Sequence, residues 1–221
     1  RFPSASLTFD TGALIDSTTP QPGVLASALE NAAAADVVFA VLGATMLGYA
    51  GYEASLEYAK QRPQGRRMGA GGKDHSAPQI PIIEHTDVKR MLMSMRAQTE
   101  GARALAYVAA AAHDAAHHHA DEATRKVNQA FYEFMVPIVK GWSTELSIDV
   151  ASTGVQVHGG MGFIEETGAA QYYRDARILT IYEGTTAIQA NDLIGRKTAR
   201  DGGAVAKQII AQVRETEAAL K

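Results

Sequence analysis

Apolar residues recur three or four positions apart along most of this chain, which predicts a largely helical protein. The first such stretch, Leu25–Gln61, is rich in alanine, valine and leucine. The second, Thr86–Ala112, begins at a candidate N-cap threonine. The third begins after the acidic residues Asp121 and Glu122, which suit a helix N-terminus, and continues to roughly Val157.

Shorter helical stretches follow a glycine-rich break at residues 158–162. They are Tyr172–Ile178, Ala187–Lys197 and a final helix, Ala204–Leu220. Pro137 predicts a kink in the third long helix, because proline removes a backbone donor. The pattern therefore predicts an all-α fold, an antiparallel helical bundle of about four long helices.

The beginning of the chain has a different pattern. Residues 1–16 alternate in a strand-like way, and a proline and glycine turn follows at residues 20–23. We therefore expect residues 1–24 to be the end of a β domain with its linker, a short β remnant at the N-terminus. Residues 25–221 then form the helical-bundle domain, and the chain is expected to be a fragment of a longer protein.

A further segment, Pro63–Pro81, interrupts the helical pattern and is rich in proline, glycine and charged residues. This composition predicts a loop of unusual length for a bundle.

Composition and charge narrow the classes of function. The chain is 46% hydrophobic and 20% charged, which is typical of an ordinary globular protein. Its formal net charge of -3 gives little support for nucleic-acid binding. Cysteine is absent, which excludes disulfides and thiolate chemistry. This absence is compatible with a reducing compartment, and we expect the protein to be cytoplasmic. Apolar runs are too short for a membrane span.

Four histidines near the end of the second long helix allow a metal hypothesis: His113, His117, His118 and His119. His113 and His117 would share one helical face, with acidic residues nearby. A solvated helix end is the preferred interpretation, and no metal is expected.

Three later motifs carry candidate chemistry: YAKQRPQGR (Tyr58–Arg66), QVHGG (Gln156–Gly160) and IYEGT (Ile181–Thr185). The paired glycines let backbone approach a flat or phosphorylated ligand, although a simple helix end would also use them. Arg62 offers a planar fork of donors for pyrophosphate oxygens or for stacking on adenine. On the residues alone, Glu183 could equally be an acid placed before the Ala187–Lys197 helix.

Taken in order, these motifs resemble the acyl-CoA dehydrogenase superfamily. The segment Pro81–Leu105 is similar to a longer branch of it, the 3-methylmercaptopropionyl-CoA dehydrogenase type. The resemblance implies an enzyme of fatty acid metabolism that uses FAD, with Glu183 as the base that removes the α proton of an acyl-CoA thioester. It also implies burial of Glu183, because a well hydrated carboxylate is a weak base for a carbon acid.

The resemblance assigns further roles. Tyr182 and Gly184 would contact the substrate. The residues expected to contact FAD are Arg62, Gln64, Gln156, His158, Gly159, Gly160, Thr185 and Thr186. Implied partners are the acyl-CoA substrate, an electron-transfer flavoprotein and further copies of the chain in a homodimer or homotetramer, with Arg62 reaching the FAD of a neighbouring subunit.

Three departures from the family pattern stand out. Ala187 replaces a common glutamine, Asn31–Leu42 contains no arginine or lysine, and Pro63 follows Arg62 directly. The alternative from another class is a helical dimerisation module that has no activity and binds no flavin in this truncated form.

Overall fold

The computed structural model describes residues 45–69, 72–73 and 76–220 of the chain. The predicted β remnant and linker of residues 1–24 lie outside the described residues, as does the first part of the predicted helix from Leu25. All of the described residues belong to one compact unit.

Helices dominate the described residues, as the apolar pattern predicts. The described part of the first helix, α1, covers residues 45–61. The helices that follow are α2 (Thr86–His118), α3 (Glu122–His158), α4 (Gly160–Phe163), α5 (Ala169–Leu179), α6 (Thr186–Asn191) and α7 (Ala204–Ala219). Short 3-10 turns span Ile82–Glu84 and Glu165–Thr167, and a π-helix, Asp192–Thr198, continues α6.

The long helices pack against one another in alternating directions. The backbone of Gly101 in α2 lies against Trp142 in α3, whereas Met95, earlier in α2, lies against Gly154, later in α3. These two helices are therefore antiparallel. α1 runs in the direction of α3, because Gly48 lies beside Val150 and ten residues later Tyr58 stacks on His158. The predicted antiparallel bundle is confirmed.

Two clusters of buried apolar side chains hold the bundle together. Their members fall at the helical spacings read from the sequence, so each helix turns one apolar face inward. The first cluster contains Tyr52, Ala59, Ile82, Met91, Leu92, Met95, Ala102, Leu146, Val150 and Val157. The second contains Ala106, Ala109, Ala112, Tyr132, Phe134, Met135 and Val139.

The helix boundaries agree with the predictions in most places. Asp121 caps α3, since its carboxylate accepts a hydrogen bond from the backbone N–H of Thr124 at 2.9 Å. The prediction of Thr86 as the N-cap of α2 is wrong by one residue. His85 takes the extended conformation that precedes the helix, and Thr86 is already helical. α3 runs through Pro137 as one continuous helix, and the kink there stays a prediction.

The described residues of the Pro63–Pro81 segment include regular backbone pairing within the predicted loop. Its two ends pair in an antiparallel bridge between Pro63 and Pro81, supported by a hydrogen bond from the Gln64 N–H to the Ile80 carbonyl. Inside it, Met68–Gly69 (β1) pairs with Gly72–Lys73 (β2). The only sheet among the described residues is therefore this two-stranded hairpin.

None of the helices in the described part of the chain combines the length and the apolar character needed to cross a bilayer.

Candidate active site

The IYEGT motif forms a tight turn between α5 and α6. Glu183 has a φ of 52°, the only positive φ of a non-glycine residue among those described, and Gly184 follows with a φ of 90°. A side chain at position 184 would begin 2.7 Å from the side-chain nitrogen of Gln189. Backbone conformation therefore requires glycine at 184, whereas the flexible end of Gln189 could move away from an added side chain.

The two threonines after the turn have partners within the chain. Thr185 is the N-cap of α6, and its hydroxyl oxygen lies 3.4 Å from the backbone nitrogen of Ile188. The hydroxyl of Thr186 donates to Glu145 of α3 at 2.5 Å. Glu183 lies two residues before this N-cap, so the alternative interpretation of Glu183 as an acid placed before the helix stays open.

Glu183 is exposed in the described chain. The burial that the resemblance implies for this carboxylate is therefore not provided by the described helices. The turn is open on the side of Glu183, whereas its other side packs on α3.

Lys140 of α3 lies beneath this turn and was missed from the sequence. Its side chain is fully buried, with 1% exposure. The ammonium donates to the carbonyl of Leu179 at 2.6 Å and lies 4.8 Å from the centre of the Tyr182 ring. One signal was available, because Lys140 is the only charged residue in the stretch 134–144.

Burial and the charge of Glu183 change the pKa values of Lys140 and Tyr182, whose side chains line the inner side of the turn. Burial lowers the pKa of the Lys140 ammonium, and the nearby Glu183 carboxylate acts in the opposite direction. Burial also raises the pKa of the Tyr182 phenol, and the charge of Glu183 raises it further. Glu183 is thus electrostatically linked to both residues.

The QVHGG motif lies at the C-terminal end of α3. His158 is buried, and its ring stacks on Tyr58 of α1 with 4.3 Å between ring centres. Nδ1 of His158 lies 2.8 Å from the Gly154 carbonyl, which can only accept, so this nitrogen carries the proton. Gln156, in the same turn of the helix, is exposed.

The glycines after His158 serve different purposes. Gly159 ends α3 with a φ of 61°. At Gly162 a side chain would begin 2.3 Å from the Val155 carbonyl oxygen, so close packing requires glycine there. Gly160 has a helical conformation and no heavy atom within 4 Å of an added Cβ. Neither the backbone conformation of Gly160 nor packing among the described residues explains the glycine at this position.

Arg62 and Gln64 lie at the same end of the bundle as QVHGG. They follow α1 directly, only four and six residues after Tyr58, which stacks on His158. Both side chains are exposed. Among the contacts that hold their backbone, the N–H of Ile82 donates to the Arg62 carbonyl at 2.9 Å, and the His85 ring lies 2.7 Å from the Gln64 carbonyl.

The predicted site residues therefore form two groups, located at different positions along α3. The first group surrounds the Tyr182–Thr186 turn, which contacts α3 at Lys140 and Glu145. The second surrounds His158, thirteen residues beyond Glu145, which corresponds to about 20 Å along a helix. The structure brings residues together within each group and keeps the two groups apart.

The histidine cluster of α2 has ring contacts of its own. The His113 ring lies 4.2 Å from that of His117 and 4.9 Å from that of Tyr132. In the part of the chain that the structure describes, no group of three or more histidines or acids is arranged to hold a metal ion.

Comparison with known proteins places this geometry in a family. The sequence model of the acyl-CoA dehydrogenase C-terminal domain matches residues 38–198. The chain is 55% identical to 3-methylmercaptopropionyl-CoA dehydrogenase of Ruegeria pomeroyi over 76% of its length and 28% of that protein's. It is 39% identical to the broad-specificity linear acyl-CoA dehydrogenase FadE5 of Mycobacterium tuberculosis, over 75% of the chain and 27% of that protein.

Solved structures agree. Butyryl-CoA dehydrogenase from Megasphaera elsdenii superposes with a TM-score of 0.53 at 25% identity, covering 72% of this chain and 35% of that one. The chain thus spans little more than a quarter of the length of the curated relatives named above. Since the family match covers both motif groups and the helices that carry them, the chain belongs to the acyl-CoA dehydrogenase family and corresponds to its C-terminal domain.

Proposed function

We propose that the full-length protein is an FAD-dependent dehydrogenase that converts an acyl-CoA thioester to its trans-2-enoyl form, with Glu183 as the base. The relatives that match this chain are named as acyl-CoA dehydrogenases or reductases, and each is much longer than the region matched. The activity is therefore proposed for the whole protein, and the chain supplies its catalytic carboxylate.

The backbone of Glu183 carries this proposal. A non-glycine residue in the left-handed region costs about 1–2 kcal/mol, and such strain concentrates at functional sites. Glu183 adopts this conformation inside the IYEGT motif, beside a glycine that is required in its own right. A glutamate kept where glycine would be less strained points to a role for its carboxylate.

The residues at the second group fit a bound dinucleotide. Gly160 leaves open space beside the backbone that the fold does not use, and Gly159 turns the chain away from it. Arg62, Gln64 and Gln156 are exposed at the same end and carry donors for phosphate or ring atoms. We assign these residues, with His158, to the FAD contact, and Thr185 and Thr186 to the flavin end.

Each residue of the turn has a task in the proposed reaction. Glu183 takes the α proton, and its main-chain N–H is a donor for the thioester oxygen as charge develops there. Gly184 leaves room for the acyl chain, and the ring of Tyr182 contacts it. FAD, when bound, supplies the hydride acceptor that no protein side chain offers. Because Glu183 is exposed in this chain, substrate and the rest of the protein must exclude water from it.

The proposed partners follow from the relatives. The caffeyl-CoA reductase-Etf complex subunit CarC of Acetobacterium woodii is 30% identical to this chain over 61% of its length. We propose an electron-transfer flavoprotein as the electron acceptor here too. We also propose that the protein forms a homodimer or homotetramer in the cytoplasm. In this oligomer Arg62 contacts the FAD of a neighbouring subunit.

Replacing Glu183 by glutamine in the full-length protein tests the assignment. Loss of a general base should lower turnover by about 10²–10⁴-fold, with flavin still bound because glutamine keeps the shape of the side chain. Turnover is measured by reduction of an artificial electron acceptor with a panel of acyl-CoA esters, and flavin content by visible absorbance.

Glu215→Gln is the matched control, because Glu215 is an exposed glutamate on α7. It should leave both turnover and flavin content unchanged. Turnover by Glu183→Gln at the wild-type rate would show that another group is the base.

A further inference from the structure

Lys140 is a buried cation to which the proposed reaction gives no task. Removing an ammonium from water is costly unless it is well paired, and replacement by an apolar side chain of similar length would avoid that cost. Lys140 is 1% exposed, and the stretch around it is otherwise uncharged. Core packing alone therefore does not explain a lysine at this position.

The contacts of Lys140 all lead to the turn that carries Glu183. Its ammonium reaches across from the middle of α3 to the carbonyl of Leu179, the last residue of α5, at 2.6 Å. A positive charge is favourable there, because the C-terminal end of a helix is partially negative. The same ammonium lies against the ring of Tyr182, the residue immediately before Glu183.

The side chain of Gln189 ties the turn to α6 through long hydrogen bonds of 3.5 Å to the carbonyls of Glu183 and Gly184. The backbone N–H groups of Ile181 and Tyr182 donate to the Ile178 carbonyl, which continues α5 by one loose turn. Thr186 is tied to Glu145, so α6 is anchored after the turn. Lys140 anchors the chain before it, and Glu183 with its positive φ lies between the two anchors.

We infer that Lys140 is a positioning residue: its ammonium fixes the end of α5 and the Tyr182 ring, so that Glu183 is kept in the left-handed conformation that directs its carboxylate. Other charged groups nearby have their own partners, Glu145 with Thr186 and Arg177 with Thr180. The electrostatic link between Lys140 and Glu183 agrees with this arrangement. The catalytic part of this inference rests on the proposed function, and the conformational part does not.

The test compares Lys140→Met, Lys140→Arg and the control Lys126→Met in the full-length protein. Methionine matches the length of lysine without its charge, and arginine keeps a charged donor. Lys126 is an exposed lysine of the same helix, paired with Glu122 at 2.7 Å. Hydrogen exchange of the amides in residues 179–186 reports the conformation of the turn independently of any activity.

Lys140→Met should speed exchange in residues 179–186 by at least about tenfold relative to wild type. It should also lower kcat by about tenfold or more with KM and flavin content little changed, because only the position of the base is affected. Lys140→Arg should recover part of both losses. Lys126→Met should behave as wild type.

Wild-type exchange and wild-type kcat in Lys140→Met would overturn the inference. Altered exchange with unchanged kcat would overturn its catalytic part alone. An active Glu183→Gln variant would reject the proposed function and leave the exchange result as it stands, so the two failures are distinguishable.

A measurement on the wild-type protein remains if Lys140→Met does not fold. The amides of Ile181 and Tyr182, which donate to the Ile178 carbonyl, should exchange at least about tenfold more slowly than the hydrogen-bonded amides of Gly202 and Gly203, whose turn has no buried cation beneath it among the described residues. Equal rates in the two turns would contradict the positioning role.

Discussion

Single residues with unusual backbone conformations mark both groups of the candidate site. Gly159, Glu183 and Gly184 all have positive φ, and Glu183 is the one that carries a side chain. At Gly159 and Gly184 glycine meets a requirement of the fold, whereas at Gly160 it meets none that the chain itself imposes. Comparing alanine substitutions at neighbouring glycines therefore separates effects on stability from effects on ligand binding.

Gly159→Ala and Gly160→Ala should affect different properties of the protein, stability in the first case and flavin retention in the second. Alanine at Gly159, whose φ of 61° and ψ of -140° strongly favour glycine, should lower the free energy of unfolding by about 1–3 kcal/mol. Alanine at Gly160 should leave stability unchanged, because its Cβ would have no atom of the described residues within 4 Å, but should reduce flavin retention in the full-length protein. Urea unfolding and the flavin content after dialysis measure the two effects. Full flavin retention by Gly160→Ala would count against a dinucleotide contact there.

At the scale of elements, α3 organises the site. It is 37 residues long, it carries QVHGG at its end, and it holds Lys140 and Glu145 beneath the other group. Its N-terminus is fixed by the carboxylate of Asp121, which accepts from both the backbone N–H and the hydroxyl of Thr124. These hydrogen bonds lower the pKa of Asp121 from its ordinary value of 3.8.

The cap should make the stability of the chain depend on acidic pH. Because the pKa of Asp121 is lower in the folded state, its contribution is complete above the unfolded value of 3.8 and is lost as pH falls toward the folded value. Asp121→Ala should lower Tm at neutral pH, and its Tm should then fall less than that of wild type between neutral pH and pH values below 3.8. Thermal unfolding followed by circular dichroism measures this.

Asp149→Ala, which removes an exposed acid from the interior of the same helix, is the control. It should not lower Tm at neutral pH. An equal loss of Tm in both variants would assign the effect to net charge and not to the cap.

The accuracy of the sequence predictions differs between elements for physical reasons. Long helices were predictable because each buries one apolar face, and Asp121 was predictable because its cap is local. The Pro63–Pro81 bridge depends on pairing between residues far apart in sequence, which no local pattern indicates. Lys140 was missed because its partner, Leu179, lies 39 residues away. The exposure of Glu183 depends on what covers the turn, and periodicity carries no information about that.

At the scale of the whole molecule, we expect the two groups to belong to one larger site in the full-length protein. They lie about 20 Å apart along α3. Several large apolar side chains also face solvent, among them Phe163, which follows QVHGG and is 82% exposed. Apolar surface of this kind suits contact with further protein.

The chain of 221 residues, expressed alone, should therefore form a dimer and retain no stoichiometric flavin, whereas the full-length protein should purify yellow. Light scattering should give twice the chain mass of 23.5 kDa, and visible absorbance should show no flavin peak. Dehydrogenase activity should be absent as well, since Glu183 is exposed. A monomer would contradict the dimer expected here, and tightly bound flavin would show that the chain holds the cofactor unaided.

The π-helix that follows α6 affects how this region can change in length. A helix wound this widely holds about one residue more per turn than an α-helix, seen here in the bond from the Ala199 N–H to the Ile194 carbonyl. Loss of a single residue within Asp192–Thr198 would let the segment tighten to α-helical winding, with Thr186 and the start of α7 left in phase with the core. The same loss inside α3 would rotate everything beyond it by about 100°. Length variation is thus absorbed beside the site without disturbing it.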